Sequence, residues 1–248
     1  MEDSYRQDLA YIHDAGFGSV AEHAAGVLRD ALVQRGIRAG LVVDLGCGSG
    51  ILSEGLAAGG YAVLGLDVSP AMLELARRRV PAGRFLQASW RTAEVPACVA
   101  VAAAGEVVSY VAGPAALETT AEEDLAPLFQ RVHDALVPGG LFLFDVVEPG
   151  RVPGPGPQQR YVSRDDWTVL VTVEEDPARC LLTRQITSFR RTGELFRRDG
   201  ETHYQRLLAR REVAALLRGM GFRVRVLRGY GELPFRRGQV GFLARKAP

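Results

Sequence analysis

The sequence predicts a doubly wound α/β fold, and three observations carry that prediction. First, Val42-Val-Asp-Leu-Gly-Cys-Gly-Ser-Gly50 runs an apolar strand into a glycine turn that opens a helix over residues 51–58. Second, Tyr61-Ala-Val-Leu-Gly-Leu-Asp67 is another apolar strand, and Val68-Ser-Pro-Ala-Met-Leu73 starts a helix with Ser69 as N-cap and Pro70 at its first position. Third, the alternation continues. The small-residue run 97–104 reads as a strand buried on both faces, and a helix over 122–136 leads into the strand Leu141-Phe-Leu-Phe-Asp-Val146.

Before this core, residues 5–32 place Leu9, Ile12, Val20, Ala24, Val27 and Leu28 at helical spacing, which predicts two helices with a break at Asp14-Ala-Gly-Phe-Gly18. After it, Glu148-Pro-Gly-Arg-Val-Pro-Gly-Pro-Gly-Pro157 is too rich in proline and glycine for regular structure and reads as a linker. Segments 167–173, 181–191 and 194–207 then alternate in polarity, the last two across Thr192-Gly193, as an antiparallel meander does. Helical spacing returns at Glu212-Val-Ala-Ala-Leu-Leu217, and strands over 222–227 and 240–245 close the chain.

The glycine turn separates two ligand classes. Glycines at 46, 48 and 50 allow a sharp turn and close backbone approach. A dinucleotide fingerprint would place its third glycine at 51, which is Ile51 here. The pattern is instead Asp-x-Gly-x-Gly-x-Gly, beginning at Asp44. This form resembles the nucleotide-binding loop of class I, Rossmann-like S-adenosylmethionine (AdoMet) methyltransferases of the small-molecule type. The acid Asp67, about 20 residues past the glycines, stands where a ribose-binding carboxylate belongs.

The resemblance implies a cofactor site built from Asp44, Gly46, Cys47, Gly48, Gly50, Asp67, Val68 and Met72. In it Asp44 orients amides and favours the ligand ammonium, and Asp67 accepts both ribose hydroxyls. Met72 suits either the adenine or the core, and Cys47 is explained by its place in the loop. A third strand near 84–87 is implied, with Gln87-Ala-Ser-Trp90 beyond it; Ser89 stands where many relatives carry an acid for the adenine amino group, and Trp90 can stack or wall the pocket. The segment Gly105-Glu-Val-Val-Ser-Tyr110 falls beside the transferable methyl, with Gly105 counted in the cofactor site and Glu106, Ser109 and Tyr110 as candidate lining residues. The alternative is that Glu106 begins a helix in which Tyr110 packs. Val137-Pro-Gly-Gly140 is also characteristic of the family and has a structural role, with Pro138 stopping the helix and the glycines taking positive φ. The whole is a seven-stranded, mostly parallel sheet with an antiparallel last strand, an N-terminal helical lid and an antiparallel β insertion after the fifth strand. Its divisions are residues 1–38 (lid), 39–150 (AdoMet-binding core), 151–208 (insertion, the substrate roof) and 209–248 (closing helix and hairpin).

The catalytic and acceptor-binding residues are less constrained. If residues 1–38 fold over the site as a lid, Tyr11, His13 and Phe17 face inward; packed on the outer surface, they do not. The meander carries nine arginines from Arg179 to Arg211 against three acids, which fits either an anionic acceptor or a solvated strand face. His203 or Tyr204 could accept the acceptor's proton, with His13 and Glu106 as further candidates, or His203 could be a hydrogen-bonded sheet residue.

Composition agrees with one enzyme domain. The formal charge is +1, which gives no whole-protein case for nucleic acid or for a membrane surface. Three cysteines, Cys47, Cys98 and Cys180, form neither a metal pattern nor a disulfide framework, so a reducing cytoplasm is expected, with no metal. No signal peptide or long apolar span is present in the sequence. The expected activity is methyl transfer from AdoMet, yielding S-adenosylhomocysteine, to oxygen or nitrogen of a small molecule, an anionic one if the meander arginines serve recognition. The alternatives are an AdoMet-binding protein that does not methylate (a cyclase, regulator or scaffold) and a tRNA or protein methyltransferase. Oligomeric state is not legible in the sequence.

Overall fold

The computed structural model describes residues 4–154 and 156–247. Pro155, in the proline-rich linker, lies outside the described residues. Two helices, α1 (Gln7–Gly16) and α2 (Ser19–Val33), precede the central sheet. Helix α1 runs through the predicted break and stops at Phe17-Gly18.

The core then alternates as predicted: β1 (Leu41–Leu45), α3 (Ile51–Ala57), β2 (Ala62–Asp67), α4 (Pro70–Arg79), β3 (Arg84–Gln87) and β4 (Cys98–Ala103). After a two-residue strand β5 (Tyr110–Val111) come α5 (Ala121–Ala135) and β6 (Leu136–Val147). Caps set these helices. Ser69 Oγ accepts the Met72 amide at the start of α4, and Thr120 and Glu123 form a reciprocal capping box on α5.

The main sheet has the order β11-β14-β6-β4-β1-β2-β3, where β11 is Phe222–Leu227 and β14 is Gln239–Lys246. Strand β14 is antiparallel to both its neighbours, while the pairings among β6, β4, β1, β2 and β3 are parallel. Alternate residues face opposite layers. Val42, Ala100, Leu141 and Leu143 pack with Leu28 and Leu32 of α2 and Leu52 and Leu56 of α3. Val43, Val101, Phe142 and Phe144 pack with Phe129 of α5 and Leu217 of α6 (Arg210–Gly219). The chain leaves β1 toward β2 and β3 on one side and returns to β4 and β6 on the other, so the strand order reverses between β1 and β4. Ligands of open α/β sheets bind at that point, beyond the carboxyl ends of the strands.

The Pro-Gly-Gly segment departs from its expected form. It lies within β6 as a bulge, because Cys98 pairs with Leu136 while Ala100 pairs with Leu141. Gly139 alone takes positive φ (79°); Gly140 is needed because a Cβ there would stand 2.9 Å from the Val137 carbonyl oxygen and 3.0 Å from that of Val99.

Above the sheet stands a second, antiparallel sheet of five strands in the order β5-β10-β9-β8-β7. Strands β8 (Trp167–Asp176), β9 (Leu181–Thr192) and β10 (Leu195–Arg206) are the predicted meander. Strand β7 (Gln158–Ser163) begins directly after the linker prolines and was hidden in the sequence by its polar composition, Gln-Gln-Arg-Tyr-Val-Ser. Strand β5 comes from the core and ties the insertion to the loop after β4. A small hairpin, β12 (Gly229–Tyr230) and β13 (Leu233–Pro234), precedes β14. Among the described residues no helix is long and apolar enough to cross a membrane.

Candidate active site

The site begins with the turn after β1. Gly46, Gly48 and Gly50 all adopt positive φ, at 67°, 53° and 80°. The Gly46 and Cys47 amides both donate to the Leu66 carbonyl oxygen. The Gly48 amide donates to Asp67 Oδ2 (2.8 Å), and the Ser69 amide donates to Oδ1 (2.8 Å), so Asp67 at the end of β2 clamps the glycine loop to the start of α4. Burial pushes the Asp67 carboxyl above its ordinary value, against the pull of these amides. Asp44 sits deeper. Only 2% exposed, it accepts the Ser53 hydroxyl (2.7 Å), and burial pushes it up to about 7. The Gly48 amide thus turns to Asp67 and those of Gly46 and Cys47 to Leu66, while Asp44 holds α3 through Ser53.

The turn after β4 is the other half of the floor. Gly105 (φ 89°) and Glu106 (φ 63°) are both left-handed, an arrangement held because both amides donate to Asp145 of β6 (2.8 and 3.0 Å). Tyr230 and Gln239 also donate to Asp145, and burial raises it to about 6. A Cβ on Gly105 would meet no protein atom within 4 Å. The floor therefore opens onto free space.

That space is a cavity of about 840 Å³ bounded by Gly46–Ser49 and Ala104–Glu106 below, by the α1–α2 break at the side, and by the five-stranded sheet above. Its roof is one face of that sheet: Val171, Val173, Ile186 and Arg184 line it. Register places His203 opposite Arg184 and Glu201 opposite Ile186 on the same face, and puts Tyr204 opposite Thr183 on the other.

The lid crosses this face. The amides of Tyr5 and Arg6 donate to the Glu201 carboxylate (2.7 and 2.8 Å), and Ser69 Oγ donates to the Tyr5 carbonyl oxygen (2.7 Å). Asp8, only 4% exposed, pairs with Arg197 (2.5 Å) and Arg190 (3.3 Å) of the roof. The Tyr5 ring lines the cavity, its hydroxyl 3.0 Å from that of Tyr110.

Several expected roles change on this geometry. His203 does not line the cavity; its Nε2 is hydrogen-bonded to Glu201 (2.8 Å), and the Tyr5 and Tyr110 rings pack on it at 4.9 and 5.8 Å. Tyr204 points to the outer face. Glu106 lines the cavity, but burial, which alone would raise its pKa, is outweighed by Arg184 (2.6 Å) and Arg151 (3.1 Å), which hold it below the ordinary range. It is a counter-ion and a poor base. His13 lines the cavity, and burial pushes it down to about 4. Phe17 and Tyr110 line the cavity as expected. Tyr11 does not: its hydroxyl donates to Asp166 (2.6 Å) and Arg190 stacks 3.8 Å from its ring, pinning α1 to the roof. Ser109 is structural, its Oγ accepting the Val147 amide.

On the adenosine side, Met72 is 2% exposed, with its sulfur 3.9 Å from where a Gly48 Cβ would stand, so it backs the loop. Val68 accepts Gln87 Nε2 through its carbonyl oxygen. Ser89 Oγ accepts the Arg91 amide. Trp90 belongs to the core beneath, 5% exposed, with Arg91 over its ring at 4.2 Å. Cys47 is buried in the loop, and burial pushes its thiol well above the ordinary value. The arginines of the meander divide: Arg179, Arg191, Arg198 and Arg211 are exposed, and the rest are paired with acids. Arg190 and Arg197 hold Asp8, Arg206 pairs with Asp124, and Arg210 pairs with Glu148. Tyr5, Arg151, Arg184 and Asp145 were not singled out in the sequence. Only the charge count around Arg184 hinted at any of them.

A strand-turn-helix glycine loop clamped by the acid ending the next strand, at the switch point of a seven-stranded sheet closed by an antiparallel strand, defines a class I AdoMet-dependent methyltransferase. Residues 42–140 match the family described as methyltransferase domain, which supports that class. Over 75% of its length it is 28% identical to a putative methyltransferase of Bacillus subtilis, covering 74% of that protein. It is 34% identical to a trans-aconitate 2-methyltransferase of Paracidovorax citrulli over 51% of this chain, which spans about half (46%) of that relative. In fold it is similar to the structure of an AdoMet-dependent methyltransferase of Clostridium acetobutylicum, with a TM-score of 0.79, 18% identity, and coverage of 96% of this chain and 98% of that one.

Proposed function

We propose that the protein transfers a methyl group from AdoMet to an oxygen or nitrogen atom of a small molecule held in the cavity between the glycine floor and the β roof. The observation that carries this reading is the cavity itself, which joins the AdoMet loop to a space closed on other sides by lid and roof. The residues present suit the donor. Gly48 and Gly105 leave room for close approach, and Asp67 has carboxylate lone pairs beyond those that its two amides use. When bound, AdoMet supplies a methyl already activated on a sulfonium. The chain's own task is then alignment and exclusion of water. The lid contributes Tyr5, His13 and Phe17 to the wall, and the ion pairs of Asp8 and the Arg6–Asp199 pair (2.6 Å) hold it shut against the roof.

A small acceptor is favoured over tRNA or protein because the glycine floor opens into a cavity beneath the β roof, and the trans-aconitate enzyme among the relatives acts on a small acid. An anionic acceptor and a cytoplasmic location belong to the same reading. The test is incubation with methyl-labelled AdoMet and a panel of small acids, phenols and amines. Labelled small-molecule product supports the proposal. Tight S-adenosylhomocysteine binding with no product across the panel would favour the non-methylating alternative.

A further inference from the structure

Charge in the cavity is unbalanced. Five guanidinium groups, those of Arg151, Arg160, Arg164, Arg184 and Arg236, line it, and Glu106 is the one carboxylate among its lining residues; Arg164 lies over the Trp167 ring. Arg184 and Arg151 both face Glu106, at 2.6 and 3.1 Å, so a single carboxylate serves two buried cations. Among the described residues, no ion pair joins Arg160 or Arg236 to an acid, and both stand exposed at the cavity mouth. The groups are mutually close. Burial lowers the Arg151 pKa, and the charges of Arg184, Arg236 and Arg160 lower it further against the pull of Glu106. The excess of positive charge is aimed into a space that already receives a sulfonium. A ligand with several negative charges would relieve it, and planar guanidinium forks match carboxylates.

The cavity also lacks a base poised near neutral pH. His13 is pushed down to about 4 by burial, Glu106 is held as a carboxylate by its arginines, and burial raises the Tyr5, Tyr110 and Cys47 groups so that they stay protonated. A phenol or an ammonium must lose a proton to react. A carboxylate has none to lose.

From these two observations we propose that the acceptor is a di- or tricarboxylic acid, that Arg151, Arg160, Arg184 and Arg236 hold its spectator carboxylates, and that methylation falls on a free carboxylate oxygen to give a methyl ester. The carboxylate oxygen forms the new O–C bond as the methyl–sulfur bond breaks, the electron pair stays on sulfur, and no proton is released. The reacting carboxylate is not the one gripped by arginine, because a guanidinium withdraws the lone pairs needed for attack. At least two carboxylates are therefore required. The inference rests on the methyltransferase reading above and names its substrate class.

The test assays the full chain with AdoMet against a panel of di- and tricarboxylic acids, monocarboxylic acids, phenols and primary amines. Turnover is expected with the polycarboxylic acids, the product should release methanol on saponification, and an unbuffered reaction should show no proton release. Arg160→Gln and Arg236→Gln should each raise the acceptor KM about tenfold or more. Each should also weaken calorimetric binding of the polycarboxylic acid to the S-adenosylhomocysteine complex, with unchanged S-adenosylhomocysteine affinity and melting temperature. Equal or better turnover of a phenol or amine, with one proton released per methyl, would overturn this inference and leave the methyltransferase reading standing. Unchanged acceptor binding in both variants would also overturn it. No product from any member of the panel would remove the methyltransferase reading and this inference with it.

Discussion

The floor and the roof of the cavity treat the same residue type in opposite ways. In the floor, Asp44, Asp67 and Asp145 are pushed upward by burial, Asp44 to about 7 and Asp145 to about 6, and their partners are backbone amides and neutral side chains. Around the roof, Asp8 and Asp199 are held below their ordinary values by Arg197 and Arg6, and Glu106, which reaches from the floor to the roof's Arg184, is held down by that arginine and Arg151. The floor is a polar-backbone site that needs no net charge. The roof is an ion-paired structure that fastens lid, sheet and core together and leaves positive charge over. The difference fits a division of labour between holding the donor below and the acceptor above.

The largest effect is expected where the floor is cut. Asp67→Ala removes two amide hydrogen bonds to a carboxylate, about 1.5–3 kcal/mol each, together with the ribose contact proposed for it, so S-adenosylhomocysteine affinity should fall at least about 100-fold by calorimetry. Retained affinity would break the assignment of the floor.

Asp44→Asn sharpens the pH contrast. The folded pKa of Asp44 lies above the unfolded value, so the folded state holds a proton that the unfolded chain has lost; stability falls as pH rises from about 4 to about 7. Asparagine can still accept from Ser53. The substitution should stabilise the protein at pH 8 by about 2–4 kcal/mol and do little at pH 4, read by denaturant unfolding.

The roof acids carry the opposite sign. Asp8 has a depressed folded pKa, so its stabilisation is present above the ordinary carboxylate range and disappears as pH falls through the folded value. Asp8→Asn should cost about 1–2 kcal/mol at pH 7, with Arg197 half exposed, and progressively less as pH falls below the ordinary carboxylate range. A loss that persisted at low pH would mean packing of α1, not its ion pairs, holds the lid. The smallest effect lies outside both regions: Lys246, the single lysine, donates to the His133 and Leu136 carbonyl oxygens at the end of α5, and Lys246→Gln should lower stability by about 1 kcal/mol or less.

The same contrast explains what was legible in the sequence. The floor is written locally, in the glycines at 46–50, the acid at 67 and the cap at Ser69, because each fixes a turn or a helix start within a few residues. Asp145 escaped notice because its partners, Gly105, Glu106, Tyr230 and Gln239, are distant in sequence and meet only when β6 pairs with β4 on one side and β14 on the other. The roof is written in long-range pairs. Nothing near Arg184 announces Glu106, 78 residues away, and nothing near Asp8 announces Arg197, 189 residues away. His203 drew attention because of its residue type, yet register put it behind two tyrosines, and Tyr5, one of the two, belongs to a segment whose lid role no local pattern reveals.

The division between floor and roof is tested most directly by hydrogen exchange of the backbone amides with and without S-adenosylhomocysteine. The account predicts added protection at residues 46–50, 67–69 and 105–106, with the roof strands β8 and β9 unchanged until an acceptor is added. Protection centred on β8 and β9, with the glycine loop unchanged, would contradict it.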